Sequence, residues 1–241
     1  MSGESGAIQE SRFLVLSITG LAVLAILTFF TAPPASASPL QRPIVALVFV
    51  LICASGTLAA IYPSRCSNVI GGGRKIKEEN SPPSIEQKAL VSMSGHHPNC
   101  GKFLAHTFQI GDKLYCAGCT GLVIGALVSI IGTVGYLVIV PQIGTTSTLI
   151  FCLGFFAVCL ALLQHILLQV RRNHAHLLLS IGFVIGDFLI LIAVMEMNNS
   201  IFVEAYFLTL TVLLILTRVI LSQMEHERVC RECNLNDCGL R

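Results

Sequence analysis

Apolar residues fall in six long runs along the chain: Phe13–Thr31, Ile44–Tyr62, Ala117–Val140, Thr148–Val170, Leu177–Met197 and Ile201–Gln223. Each approaches or exceeds the roughly 20 residues a helix needs to cross a hydrocarbon core about 30 Å thick, and each holds few ionisable groups. The pattern predicts an all-α fold, a polytopic membrane helix bundle of about six spans. Arg12 before the first run and Ala35-Ser36-Ala37 after it imitate a secretion signal. The run's apolar core of roughly 19 residues is longer than the 7–15 of a signal h-region, so it is expected to remain as a span. Pro33-Pro34 opens a short Ser/Ala/Pro loop that ends at Pro43, where a second helix can begin.

The connections between runs are unequal, and their charge sets the topology. Pro141–Ser147 and Asn198–Ser200 carry no Lys or Arg, Arg171–His176 is short and basic, and Pro63–Cys116 is long and hinged at Gly71-Gly72-Gly73 and Ser81-Pro82-Pro83. With six spans, one side of the membrane receives Arg12, Arg65, Arg74, Lys75, Lys77, Lys88, Lys102, Lys113, Arg171, Arg172, Arg218, Arg228, Arg231 and Arg241. The other side keeps Arg42 alone. Basic residues concentrate on the cytoplasmic side. The expected protein is therefore a multi-pass cell-membrane protein with both termini and the long loop in the cytoplasm. Its expected layout is a two-helix hairpin over 1–62, a cytoplasmic loop over 63–116, a four-helix membrane region over 117–223 and a cytoplasmic tail over 224–241.

Composition supports the membrane assignment. Only 12% of residues are charged and 54% are hydrophobic, whereas about 25% of an ordinary soluble domain is charged. The net charge of +2 comes with no basic stripe interleaved with aromatics, so nucleic acid is not an expected partner. The lipid bilayer is.

Ten cysteines carry the candidate chemistry. Cys66, Cys100, Cys116, Cys119, Cys230, Cys233 and Cys238 all fall on the expected cytoplasmic side, where disulfides are rare and metal binding or redox chemistry is the better reading. One group is His96-His97-Pro98-Asn99-Cys100, His106 and Cys116-Ala117-Gly118-Cys119; the other is His226, Cys230, Cys233 and Cys238. A Cys-x2-Cys turn directs two thiolates at one ion, and tetrahedral zinc then needs two more ligands. Each group can supply four: Cys100, Cys116 and Cys119 with His97 or His106, and His226, Cys230, Cys233 and Cys238. The two knuckles can also combine in one four-cysteine site. Zinc is the expected cofactor. Cys116 and Cys119 also open the third span, where the helix dipole favours thiolate, so a dithiol redox centre is the competing reading.

The segment Cys100-x15-Cys116-Ala117-Gly118-Cys119-Thr120-Gly121-x3-Gly125, with Phe103, Phe108 and Gly111 ahead of it, resembles a family of small prokaryotic predicted membrane proteins of unknown function. In that family a Cys/His loop with aromatics leads to Cys-x-x-Cys-Thr-Gly and a membrane helix, usually with Arg between the paired cysteines where this chain has Gly118. The match covers about thirty residues, with a weaker echo at Arg171-Arg172 and Gly182-x3-Gly186. It implies a fold type and a metal site but no activity.

Inside the spans, Asp187 lies in the middle of the fifth, where a charge is costly and is expected to face other helices, with Gln164 and His165 as the nearest partners. It is read either as a hydrogen-bonded structural group or as an ion relay. Glu196 and Glu204 are expected at solvated helix ends, and Gly121-x3-Gly125 and Gly182-x3-Gly186 at close helix approaches. No Gly-x-Ser-x-Gly, Walker loop, His-Glu-x-x-His or dinucleotide fingerprint is present, so no catalytic residue is assigned. The leading expectation is an interaction or scaffold protein. In it a structural zinc site clips loop and tail to the bundle and presents a surface to a protein partner. A thiol-disulfide oxidoreductase using Cys116 and Cys119, and an ion or metal transporter with Asp187 on its pathway, are the alternatives.

Overall fold

A computed structural model of the chain describes residues 2–31, 39–61, 93–94, 97–98, 107–110, 113–139, 146–164, 173–198 and 200–231. They form α1 (Ser2–Phe30), α2 (Gln41–Ile61), β1 (Met93–Ser94), β2 (His97–Pro98), β3 (Thr107–Ile110), β4 (Lys113–Cys116), α3 (Ala117–Ile139), α4 (Thr146–Leu163), α5 (Asn173–Met197) and α6 (Ile201–Arg231). All six helices are long and apolar enough to cross a membrane, as the hydrophobic runs predict. Their outward faces carry large apolar side chains: Phe30, Val138 and Phe202 are 83%, 78% and 84% exposed. A surface of that kind suits hydrocarbon and not water.

Some helix boundaries depart from the expected ones; α1, for one, begins at Ser2 rather than Phe13. The fourth run's expected end at Val170 lies outside the described residues, α4 being described to Leu163. The sixth was expected to end near Gln223, yet α6 continues to Arg231. At 1.5 Å per residue the 31 residues of α6 extend about 46 Å, more than the bilayer core. Its last turns therefore project beyond the apolar window, which ends at Ser222. The segment expected as a plain loop also contains structure. β1 pairs with β2, and β3 pairs antiparallel with β4 in a register that sets Thr107 opposite Cys116 and Phe108 opposite Tyr115. β4 then passes directly into α3.

The helices are not equivalent. α5 is the central one: half of its membrane window is buried, and it packs tightly against both α3 and α4. α2 lies on α3, and α1 on α6. Without a hydrophobic force between helices in lipid, such packing depends on small residues that let backbones approach. A Cβ added at Gly121 would stand 2.6 Å from the Leu177 carbonyl oxygen, and one at Gly154 would stand 2.6 Å from that of Gly186. Gly125 and Gly186 are similarly crowded, whereas Gly182 meets nothing within 4 Å. The close approach expected of Gly182-x3-Gly186 is thus carried by its second glycine, and Gly154 on α4 is the partner.

Polar side chains also tie helix to helix. Ser129 donates to the Val184 carbonyl (3.2 Å), Tyr206 to that of Gly20 (3.0 Å), and Ser17 bonds Thr217 (2.8 Å). At the turn between α5 and α6, the Asn198 amide Nδ2 reaches the carbonyls of Leu27 (3.2 Å), Thr28 (3.4 Å) and Thr31 (3.3 Å), together with the Thr31 hydroxyl. It caps the carbonyl end of α1, where the Leu27 carbonyl also accepts from the Thr31 N–H (3.2 Å).

Candidate functional site

Both ends of the bundle carry polar groups: a thiol end, where β4 meets α3, and a turn end, where Asn198 joins α5 to α6. At the thiol end Cys116 closes β4 and Cys119 occupies the first turn of α3, and their sulfurs lie within hydrogen-bond reach of each other. Both are half-buried, and no disulfide joins any described cysteine. Gly118 lies between them against α5: a Cβ there would make ordinary contact, 3.9 Å from Ser180 Oγ and 4.0 Å from Cys116 Sγ.

Ser180 in turn accepts from a buried cation. Arg218 of α6 donates Nη2 to Ser180 Oγ (2.8 Å) and Nη1 to the Ala161 carbonyl (3.1 Å), while Ser180 donates to the His176 carbonyl (2.7 Å). Ala161 stands in the last turn of α4, whose carbonyls lack helical donors and carry the negative end of the helix dipole. The guanidinium is the complement of that end. Arg218 was counted among the cytoplasmic topology anchors; buried at 6% exposure, it belongs to the interior instead. The basic asymmetry survives without it.

Of the nine candidate metal ligands, Cys116 and Cys119 are brought together. His97 lies in β2, and His226 and Cys230 stand one helical turn apart near the end of α6. Cys100, His106, Cys233 and Cys238 lie outside the described residues. Among the described residues no group of three or more His, Cys, Asp or Glu is placed to hold a metal ion. α6 carries His226 and Cys230 past the level of Arg218. Cys230 lies twelve residues beyond Arg218, a rise of about 18 Å from the level where Arg218 meets Ser180.

Asp187 is buried between helices as expected, 2% exposed, but Gln164, one of its two expected partners, is not level with it. Ala161 lies at the level of Ser180, two turns from Asp187, and Gln164 is one turn further away along α4; His165 lies outside the described residues. The ionisable neighbour is instead Cys53 of α2, within electrostatic range, and Asp187 Oδ1 has no hydrogen-bond partner among the described residues.

The turn end overturns a further expectation. Glu204 is not at a solvated end but fully buried; its Oε2 accepts from Gln41 Nε2 at 2.8 Å, and its Oε1 has no partner among the described residues. Glu196 is 14% exposed and accepts from Arg42 Nη1 (3.3 Å) and from the Tyr136 hydroxyl. Residues from α2, α3, α5 and α6 thus form one polar cluster. Its signal was present in the sequence: Gln41, Arg42, Glu196 and Glu204 all flank the same ends of their spans and share a depth.

No protein-family profile matches the chain, and neither does any curated protein or solved structure.

Proposed function

We propose that this membrane protein holds zinc at a cytoplasmic thiol end and uses the metal to fasten its loop and tail to the bundle as a docking surface for a protein partner. The observation that carries the reading is the contact between the Cys116 and Cys119 thiols at the point where a β-ribbon becomes a membrane helix. Two thiolates presented from one turn are half of a tetrahedral site. Cys100, with His97 or His106, completes it. The rise along α6 favours a second, separate site built from His226, Cys230, Cys233 and Cys238. Segments as short as 63–116 and 224–241 bury too little apolar surface to hold a fold unaided, and metal binding supplies that stability.

Metal analysis of the purified full-length protein tests this. Two zinc ions per chain are expected, with C116S/C119S removing one and C230S/C233S the other. Loss of all zinc from either pair alone means a single shared site; a metal-free wild-type protein overturns the reading. Cysteine labelling of the long loop from outside intact cells would reverse the orientation.

One observation favours a second reading. Adjacent thiols at a helix N-terminus are also the geometry of a reactive dithiol. Such a centre gives up two electrons and two protons to a quinone, or exchanges with a partner's disulfide. A metal-free protein whose Cys116 and Cys119 cycle between dithiol and disulfide selects it.

A further inference from the structure

The turn-end cluster and Asp187 lie along one interior line, and what separates them is aromatic. On α2 the inward positions run Gln41, Val45, Phe49 and Cys53, four residues apart and so on one face. On α6 they run Glu204, Phe207 and Thr211. Gln41 and Glu204 are joined at 2.8 Å, Phe49 and Phe207 meet one layer deeper with ring centroids 6.4 Å apart, and Cys53 and Asp187 come next. Asp187 lies nine residues along α5 from Glu196, about 14 Å below the turn end. A buried carboxylate therefore stands on each side of the Phe49–Phe207 layer, and each has one oxygen without a hydrogen-bond partner among the described residues.

We propose that Asp187 is a proton-binding site reached from the turn end of the bundle through the layer closed by Phe49 and Phe207. The donor set selects the ion. Ca²⁺ and Mg²⁺ need about six oxygen ligands, and among the described residues no group of three or more His, Cys, Asp or Glu, Asp187 included, is placed to hold a metal ion. A proton needs a single oxygen, and Oδ1 is available. Cys53 is the ionisable group that faces Asp187 from α2; none faces it from α1, α3, α4 or α6 among the described residues.

The direction of access follows from charge. Toward the thiol end, Asp187 is followed by Phe183 on α5 and Leu214 on α6, both fully buried, and then by the Arg218 guanidinium, a fixed positive charge that repels a proton. Toward the turn end lie Glu204 and Glu196, two carboxylates against the single cation of Arg42. A proton is drawn in from that side and barred from the other. The site is independent of whether zinc is bound at the thiol end.

Infrared spectroscopy of the full-length protein in lipid nanodiscs tests both parts. A carboxylic C=O band is expected in the wild type, titrating with pH and absent from D187N, a near-isosteric variant expected to keep the fold. On transfer to D2O the band should take its isotope shift at least tenfold faster in F207A than in wild type. L214A, an apolar truncation on the opposite side of Asp187, should leave the exchange rate unchanged. Equal carboxyl bands in wild type and D187N across the titration would overturn the site. An F207A rate no faster than wild type, or an L214A rate as fast as F207A, would overturn the route.

Discussion

The α4–α5 crossing is held together by the absence of two side chains, and adding one back has a calculable effect. A Cβ at Gly154 would lie 2.6 Å from the Gly186 carbonyl oxygen, 3.0 Å from Ile190 Cγ1 and 3.0 Å from Leu189 Cβ, where ordinary contact begins at 3.4 Å. The first of these is backbone and cannot swing away, so the helices must part by about 0.8 Å. A gap of 0.5–1 Å forfeits roughly a quarter to a half of the dispersion energy of each contact that opens, and overpacking of this sort costs about 1–3 kcal/mol. Alanine's higher helix propensity returns up to about 1 kcal/mol. G154A should therefore be net destabilised by up to about 2 kcal/mol. Gly135 in α3 provides the contrast: nothing lies within 4 Å of its Cβ position, so G135A should be neutral or stabilised by up to about 1 kcal/mol. The chain has no Trp, so unfolding is best followed by far-UV circular dichroism during an SDS titration in mixed micelles. Because the two glycines touch, G154A/G186A should cost less than the sum of its parts, the helices having already separated for the first methyl group. If G154A is as stable as G135A, the crossing is not set by backbone contact and this account of α5 as the central helix fails.

Two further substitutions probe the polar ties in the same SDS titration. R218K keeps the charge but replaces a planar fork that bridges Ala161 and Ser180 by a point donor, and should cost about 1–3 kcal/mol by leaving one of those acceptors without its donor; stability equal to wild type would show the bridge to be dispensable. Asn198 shares its two amide hydrogens among the carbonyls that end α1, so N198A should lose about 1–2 kcal/mol. N198D should lose more, because a carboxylate brings only acceptors to face those carbonyls; an N198D protein as stable as N198A would remove the capping role.

How much of this was legible in the sequence depended on whether the signal was local. The six spans follow from hydropathy alone, and the start of α3 at Ala117 and the ends of α5 and α6's apolar window fall where the runs predict, because in lipid a backbone must satisfy its own hydrogen bonds and has little choice but helix. The pairing of Cys116 with Cys119 was legible for the same reason, being set by a single turn. The environments of Glu204, Asp187 and Arg218 were not. Each was assigned from its position along its own helix: Glu204 as a solvated end, Arg218 as an interfacial anchor, Asp187 as a partner of Gln164. What decided them was the rotation and register of neighbouring helices. Glu204 turns inward to meet Gln41, and Arg218 turns inward to meet the carbonyl end of α4. Gly182 and Gly186 show the same limit, since only a neighbouring backbone distinguishes the glycine that is needed from the one that is not.

The register of α5 against α6 explains why the bundle keeps a carboxylate and a guanidinium that do not neutralise each other. The two helices are antiparallel, joined at Asn198, and Ser180 meets Arg218. Every step of seven residues along one helix is then matched by seven back along the other, so Asp187 falls level with Thr211, and Glu204 falls near Val194. Asp187 and Arg218 are held two turns apart, about 10 Å along the axis. Each helix repeats its polar position at a spacing of seven, with Ser180 and Asp187 on α5 and Glu204, Thr211 and Arg218 on α6, which returns each group to nearly the same face. An ion pair across this interface needed only a carboxylate at position 180. A serine stands there instead, and the guanidinium takes its compensation from the end of α4 and from that hydroxyl. Asp187 is thereby left without a compensating cation among the described residues in the middle of the bundle, a placement that stability alone does not favour and that fits the proton site proposed for it.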